Sequence, residues 1–185
     1  MKYLFFFLLA GLCTLGSCQN NNKKNVSADE LLKAAAKEPG ANAGSGKFSI
    51  DAPSGWQKTD TSIGGIKFTF LMSPTVEKAF RANINVLSQS MNNLSAENYF
   101  EQNISTMGQY MQNYIAGPKG EKQVNGLTAK WMQYSRTQGG YDLDGVFCII
   151  PKDGIAYIIT LTVAKGLLNK YQAPFDEALQ SFKIN

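Results

Sequence analysis

The side chains that invite chemistry cluster between positions 131 and 144. Asp142 and Asp144 stand two apart, so on a strand both carboxylates leave the same face. Such a pair can ligate calcium or act as acid and base. Calcium takes about six to eight oxygens, and Asp153, near a separate turn, is the only obvious further donor; a solvated strand face is the competing reading. Arg136 is one of two arginines, with Arg81, among 18 basic residues. A reversal at Gly139-Gly140 should bring it within reach of Asp142 or Asp144, as a cross-strand ion pair contributing roughly 0.2–1 kcal/mol. Trp131, Tyr134 and Tyr141 flank that reversal and form either an aromatic patch or core and edge packing. The candidate binding surface is thus Trp131, Tyr134, Arg136, Tyr141, Asp142 and Asp144.

Other chemistry is excluded by residue type. The chain has no histidine, which removes Ser-His-Asp and Cys-His catalysis and imidazole-ligated zinc. No glycine-rich phosphate loop is present, Ser45-Gly46-Lys47 being only a fragment of one. Scattered lysines and scarce arginines do not make a nucleic-acid footprint. No catalytic residue, metal ligand or cofactor is expected, so the chain reads as a non-enzyme and its partner as a protein or envelope component. Its 185 residues suit one domain. Charged residues reach 17%, below the usual roughly 25%; 15 Asn and 11 Gln supply neutral polarity instead. The net charge of +4 suits proximity to anionic membrane surfaces.

The first residues read as an address. Lys2 precedes the apolar run Leu4 to Leu12, far short of the roughly 20 residues that span a bilayer, so it is a signal-peptide core. Leu15-Gly16-Ser17-Cys18 resembles the lipobox of bacterial lipoproteins: cleavage falls between Ser17 and Cys18, and the Cys18 thiol takes lipid, palmitate among the acyl groups. Each buried CH₂ then adds about 0.8 kcal/mol of anchoring. With Cys13 lost and Cys18 acylated, Cys148 is left alone, without an intramolecular partner, in the apolar run Val146 to Ile150. Gln19 after the lipid cysteine is not aspartate, which by the enterobacterial rule points to the outer membrane. Without an acidic residue before Asp29, a periplasm-facing orientation is expected. Residues 1–17 are therefore the signal peptide and 18–46 the lipidated cysteine, a polar tether and linker, with a short helix capped by Ser27-Ala28-Asp29-Glu30.

The remaining chain, 47–185, must position the candidate surface. Alternation at Phe48/Ile50, Ile66/Phe68/Phe70 and Ala82/Ile84/Val86 predicts strands. Ser95 caps a helix expected over 96–113, whose stripe Phe100, Ile104, Met107, Met111 and Tyr114 is either core or a groove for a hydrophobic partner. Asn125-Gly126, Gly139-Gly140 and Asp153-Gly154 predict a meander of hairpins. A last helix is expected to carry Pro174 in its first turn and Phe175, Leu179 and Phe182 inward.

The stretches Phe48 to Trp56, Leu94 to Phe100, Asn125 to Trp131, Ala156 to Thr160 and Tyr171 to Ile184, in that order, resemble the PsbP-like superfamily, including bacterial DcrB-type lipoproteins. The resemblance implies an α+β domain, an antiparallel β-sheet sandwiched by helices, that binds without catalysis in an assembly or accessory role. Chaperone-like binding of hydrophobic segments is the alternative, and a small carboxylate enzyme the third reading.

Overall fold

The computed structural model describes residues 46–63 and 66–185. The expectations for Ser17, Cys18, the tether and the helix after Ser27 fall outside them. Among the described residues the chain runs β1 (Phe48–Ser49), β2 (Gln57–Ile63), β3 (Ile66–Glu77), β4 (Phe80–Ser90), α1 (Ala96–Tyr110), β5 (Gln112–Val124), β6 (Leu127–Gln138), β7 (Tyr141–Lys152), β8 (Ile155–Ala164), α2 (Leu168–Ser181) and β9 (Lys183–Ile184). Seven strands form one antiparallel sheet in the order β2-β3-β4-β8-β7-β6-β5, while β1 and β9 pair separately.

The hairpins follow from backbone chemistry. A two-residue reversal with both φ angles positive matches strand twist, and Asn-Gly or Asp-Gly adopts it at little cost. Asn125 and Gly126 have φ of 49° and 78°, and Asp153 and Gly154 have 50° and 77°. Lys78-Ala79 turns the same way, at 50° and 60°, without glycine to announce it. There the Lys78 ammonium donates to the Lys165 carbonyl at 2.6 Å.

Period-two alternation then sorts side chains onto two faces. Leu71, Ile84, Val86, Val146, Cys148, Ile150, Ile159, Leu161 and Val163 pack beneath Tyr171, Phe175 and Leu179 of α2. On the opposite face, Phe68, Leu87, Met132, Phe147 and Ile158 pack with Tyr99, Phe100 and Met107 of α1. Phe100 lies parallel to Phe147, 5.9 Å between ring centres. The connection through α1 carries the chain from β4 to the far edge, and the meander β5 to β8 returns to pair with β4.

This corrects the expected α+β class. Among the described residues the structure is mostly antiparallel β, 58% strand against 21% helix. A 15-residue helix is about 22 Å long, whereas a 12-residue strand extends about 40 Å. One helix against each face therefore cannot make a covering layer over seven strands.

Two helix boundaries also move. The first helix was expected to reach residue 113 but stops at Tyr110, because Gln112 is already paired with Thr137 in the sheet. Its expected N-cap forms: the Asn98 amide donates to Ser95 Oγ at 3.1 Å. The last helix begins at Leu168, so Pro174 lies in its interior and not in its first turn. The earlier start places Tyr171 in the core, which offsets the hydrogen bond that the proline ring cannot donate.

Candidate functional site

Strand parity divides the six candidate residues. Arg136 stands directly opposite Leu143, with Asp142 and Asp144 one step to either side. A one-residue offset sends side chains to opposite faces. The expected ion pair between Arg136 and Asp142 or Asp144 is therefore corrected: the charges leave the sheet in opposite directions. The two aspartates do share a face, and both carry structural hydrogen bonds. Asp144 accepts from Ser135 Oγ at 2.7 Å and from the Gly166 amide at 2.7 Å, fixing the turn that leads into α2. Asp142 accepts from Thr137 Oγ1 at 2.9 Å. Tyr141 packs against Phe80 at 5.9 Å. With Lys78 and Lys165, Tyr141 and Asp142 border a shallow surface cleft of about 340 Å³. Trp131 is half-buried against the α2-side core.

Tyr134 and Arg136 remain, and the structure brings both to the α1 face, two residues apart on β6. Tyr134 lies flat over Gly145 of β7. A Cβ at Gly145 would sit 2.4 Å from Tyr134 Cζ and 2.6 Å from its hydroxyl, so the ring position requires glycine there. Tyr114 stacks on Tyr134 at 6.2 Å. Burial raises the Tyr134 hydroxyl pKa, and the nearby positive charge of Arg136 opposes that rise. Burial likewise pushes Tyr114 up to about 12, with Tyr134 adding to the shift. Both phenols are thus neutral donors at physiological pH. The Tyr134 hydroxyl reaches toward Thr162, whose Oγ1 completes no hydrogen bond of good geometry.

Register extends this group across the sheet. Tyr134 is opposite Gly145, Gly145 opposite Thr162, and Thr162 opposite Asn83; in the next row, Phe147 is opposite Thr160 and Thr160 opposite Asn85. Asn83, Asn85, Thr160, Thr162, Tyr134 and Arg136 form a polar band on a face otherwise lined by Phe68, Leu87, Met132 and Ile158. Every member is buried, with exposures of 6% or less.

Burial makes hydrogen-bond accounting decisive, because an orphaned buried polar atom loses water without replacement. Asn83 Nδ2 donates to the Arg81 carbonyl at 3.3 Å, but its Oδ1 has no partner, nor do Asn85 Nδ2 and Arg136 Nε and Nη2. The arginine is the most costly case. Removing a charge from water costs several kcal/mol unless a counter-charge is supplied. Yet Arg136 belongs to none of the ion pairs among the described residues. Those pairs lie at the surface, as where Lys130 reaches both Glu97 and Glu121 at 2.5 Å.

Other expectations resolve as packing. Phe100 and Met107 of the helical stripe are fully enclosed, and Ile104, Met111 and Tyr114 pack around that core, so the stripe is core and not groove. Cys148 is buried, and burial pushes its thiol up to about 12. It behaves as a small hydrophobe. Among the described residues, no group of three His, Cys, Asp or Glu side chains comes together to hold a metal ion.

The sequence reading missed Asn83, Asn85, Thr160 and Thr162. Their only signal was spacing: two amides on alternate positions of an apolar strand, which equally describes a solvent face.

No protein-family model matches the sequence, nor does any curated protein. Solved structures do match. PA94 from Pseudomonas aeruginosa, a protein of unknown function, superposes with a TM-score of 0.57 at 15% identity, covering 74% of this chain and 96% of its own. LpqN of Mycobacterium tuberculosis, described as involved in cell envelope biogenesis, gives 0.57 at 10% identity, covering 88% and 99%. The cyanobacterial PsbP of Synechocystis gives 0.50 at 14% identity, covering 80% and 99%. The chain has a PsbP-like fold.

Proposed function

We propose that this protein is a lipid-anchored accessory protein of the bacterial outer membrane, facing the periplasm, whose PsbP-like domain binds a protein or envelope component without catalysis. The reading is supported by the Leu15-Gly16-Ser17-Cys18 box together with the PsbP-like fold; the polar band on the α1 face, whose buried donors and acceptors on β4, β8 and β6 lack partners among the described residues, marks the face to test for binding. A catalytic site needs a nucleophile or base held against its proton partner. The band instead offers neutral amides, hydroxyls and one permanent cation, groups suited to recognition. The anchor rests on the Leu15-Gly16-Ser17-Cys18 box. The structural likeness to LpqN, itself described as acting in envelope biogenesis, agrees with an envelope role. Nucleic acid is not a partner in this reading.

Two experiments test it. Metabolic labelling with a clickable fatty acid should mark the wild type and not Cys18→Ala; equal labelling of both would remove the anchor. For the binding face, a photo-reactive benzoylphenylalanine replaces Phe70, which lies opposite Asn85 on the neighbouring strand. The control site is Val76, 57% exposed. Illumination in cells should give a discrete adduct from position 70 and none from 76. Equal products from both positions, or none from either, would defeat the assignment of this face.

A further inference from the structure

We propose that the outer edge of β2 pairs with β2 of a second copy of this chain, antiparallel about a two-fold axis at Thr59, so that two sheets join edge to edge. The end strand of a sheet leaves a row of backbone donors and acceptors open, and proteins blunt such rows with proline, bulges or a covering element. The two ends of this sheet differ in that respect. β5 contains Pro118, and its register with β6 shifts twice, between Gln112 and Ile115 and between Ala116 and Lys119. Lys119 also ties it to Glu101 of α1. β2 has neither proline nor glycine, pairs with β3 without a shift from Gln57 to Ile63, and is exposed from Gln57 to Ser62. Among the described residues no strand pairs with its outer side. The pairing does not depend on the α1 face being a binding surface.

Charge selects the occupant and its register. Ile63 stands opposite Ile66 with two residues between them, the arrangement in which a pair exchanges both backbone bonds. Counting back by twos, Thr61, Thr59 and Gln57 bond to β3, and the amides and carbonyls of Lys58, Asp60 and Ser62 face outward. An axis at Asp60 would set two carboxylates against each other, which repels. An axis at Thr59 sets Lys58 of each copy opposite Asp60 of the other, and these are the pairs whose backbone groups face outward. Opposite charges then meet twice, as a self-complementary interface requires. Lys58 Nζ already donates to the Ile50 carbonyl at 2.8 Å, and Asp60 Oδ1 accepts from Thr69 Oγ1 at 2.6 Å. The remaining ammonium hydrogens and the second carboxylate oxygen are left for the other copy. One strand pair buries less than the roughly 1,200 Å² of a stable interface, so the dimer is weak and reversible.

The test uses the full-length protein in detergent under mild oxidation, read on non-reducing gels against the wild type. At the axis, Thr59 faces its own counterpart as a pair whose Cα atoms are about 4.5 Å apart, within reach of a disulfide. Thr61 is exposed on the same face of β2 but lies about 14 Å from its counterpart in this register. Thr59→Cys should therefore form a disulfide-linked dimer and Thr61→Cys should not. Adding Lys58→Glu to Thr59→Cys should slow linking about tenfold, because both attractive pairs become repulsive. Adding Asp60→Lys as well should restore it, although the bonds to Ile50 and Thr69 are both gone, so a merely loosened strand cannot account for the pattern. No linked dimer from Thr59→Cys, equal linking from Thr61→Cys, or no recovery in the double charge swap overturns the proposal. So does a Thr59→Cys disulfide to Cys13 or Cys18 of the same chain, or to another protein, either of which would then be what occupies the edge.

Discussion

The two faces of the sheet are built from the same strands and satisfy different demands. Under α2, the central strands present a mostly apolar surface, Ile84, Val86, Val146, Cys148, Ile159, Leu161 and Val163, closed by Tyr171, Phe175 and Leu179, and Asp144 at its edge has its hydrogen bonds satisfied. Under α1 the same strands turn out Asn83, Asn85, Thr160 and Thr162, with Tyr134 and Arg136 beside them. Burying an apolar side chain contributes about 1.5–3 kcal/mol, whereas burying an unpaired polar group costs about 1–3. One face therefore stabilises the fold and the other draws on that stability. Unsatisfied polarity is retained where it serves recognition more often than where it serves folding.

The comparison can be broken most forcefully at its stabilising side. Phe175→Ala should cost about 3–5 kcal/mol, the range for deleting a buried aromatic ring, since Phe175 is fully enclosed and carries Lys122 5.1 Å from its ring centre. Urea denaturation measures it, and a loss below about 1 kcal/mol would mean that the α2 face is not the main core. Next in size, Gly145→Ala should cost about 1–3 kcal/mol through overpacking, because the new methyl displaces the Tyr134 ring. Near-ultraviolet circular dichroism should change in the tyrosine region, and an unchanged spectrum would argue against the ring lying there.

A change of sign sharpens the contrast. Asn85→Leu removes an orphaned donor at nearly constant volume, so it should raise stability by up to about 1 kcal/mol while abolishing cross-linking from position 70. A destabilised variant would indicate that the amide is satisfied in the free protein. The smallest effect concerns the rim of the α1 face. Lys130, through hydrogen bonding and charge, holds the Glu97 carboxyl below its usual 4.5, while Glu121 and Glu97 raise Lys130 above 10.5. Their contribution is present between those values. It is lost as pH falls through the depressed Glu97 pKa or rises through the elevated Lys130 pKa. Lys130→Met should flatten the acid shoulder of a stability-against-pH curve slightly, since exposed pairs contribute little. An acid shoulder of unchanged shape in Lys130→Met would detach this pair from acid stability.

Much of the fold was legible. Asn125-Gly126 and Asp153-Gly154 announced their turns because few other pairs accept two positive φ angles, and Ser95 marked its helix start. Lys78-Ala79 gave no such signal; its turn is held by strand pairing on both sides and by the Lys78 bond to the Lys165 carbonyl. Met111 and Tyr114 continued a helical spacing past the true end, since their return to the same core cluster by way of a bulged strand mimics a period of 3.6. The candidate site was half legible. Tyr134 and Arg136 were singled out and lie together, but with the wrong partners: a two-residue turn at Gly139-Gly140 sets Gln138 opposite Tyr141 and so Arg136 opposite Leu143, and strand parity then sends Asp142 and Asp144 to the other face.

By itself the sequence determined the alternation along each strand, the positions of the glycine-marked reversals and the pairing of neighbours across them. These are short-range properties, decided by φ preferences and a two-residue repeat. Only the tertiary structure decided that β8 returns to lie beside β4, some seventy residues away along the chain. That closure places Thr160 and Thr162 next to Asn85 and Asn83 and turns two ordinary polar strand faces into one buried band. Which distant strand completes a sheet depends on how all the apolar surfaces can be covered at once, a global condition that no local spacing encodes.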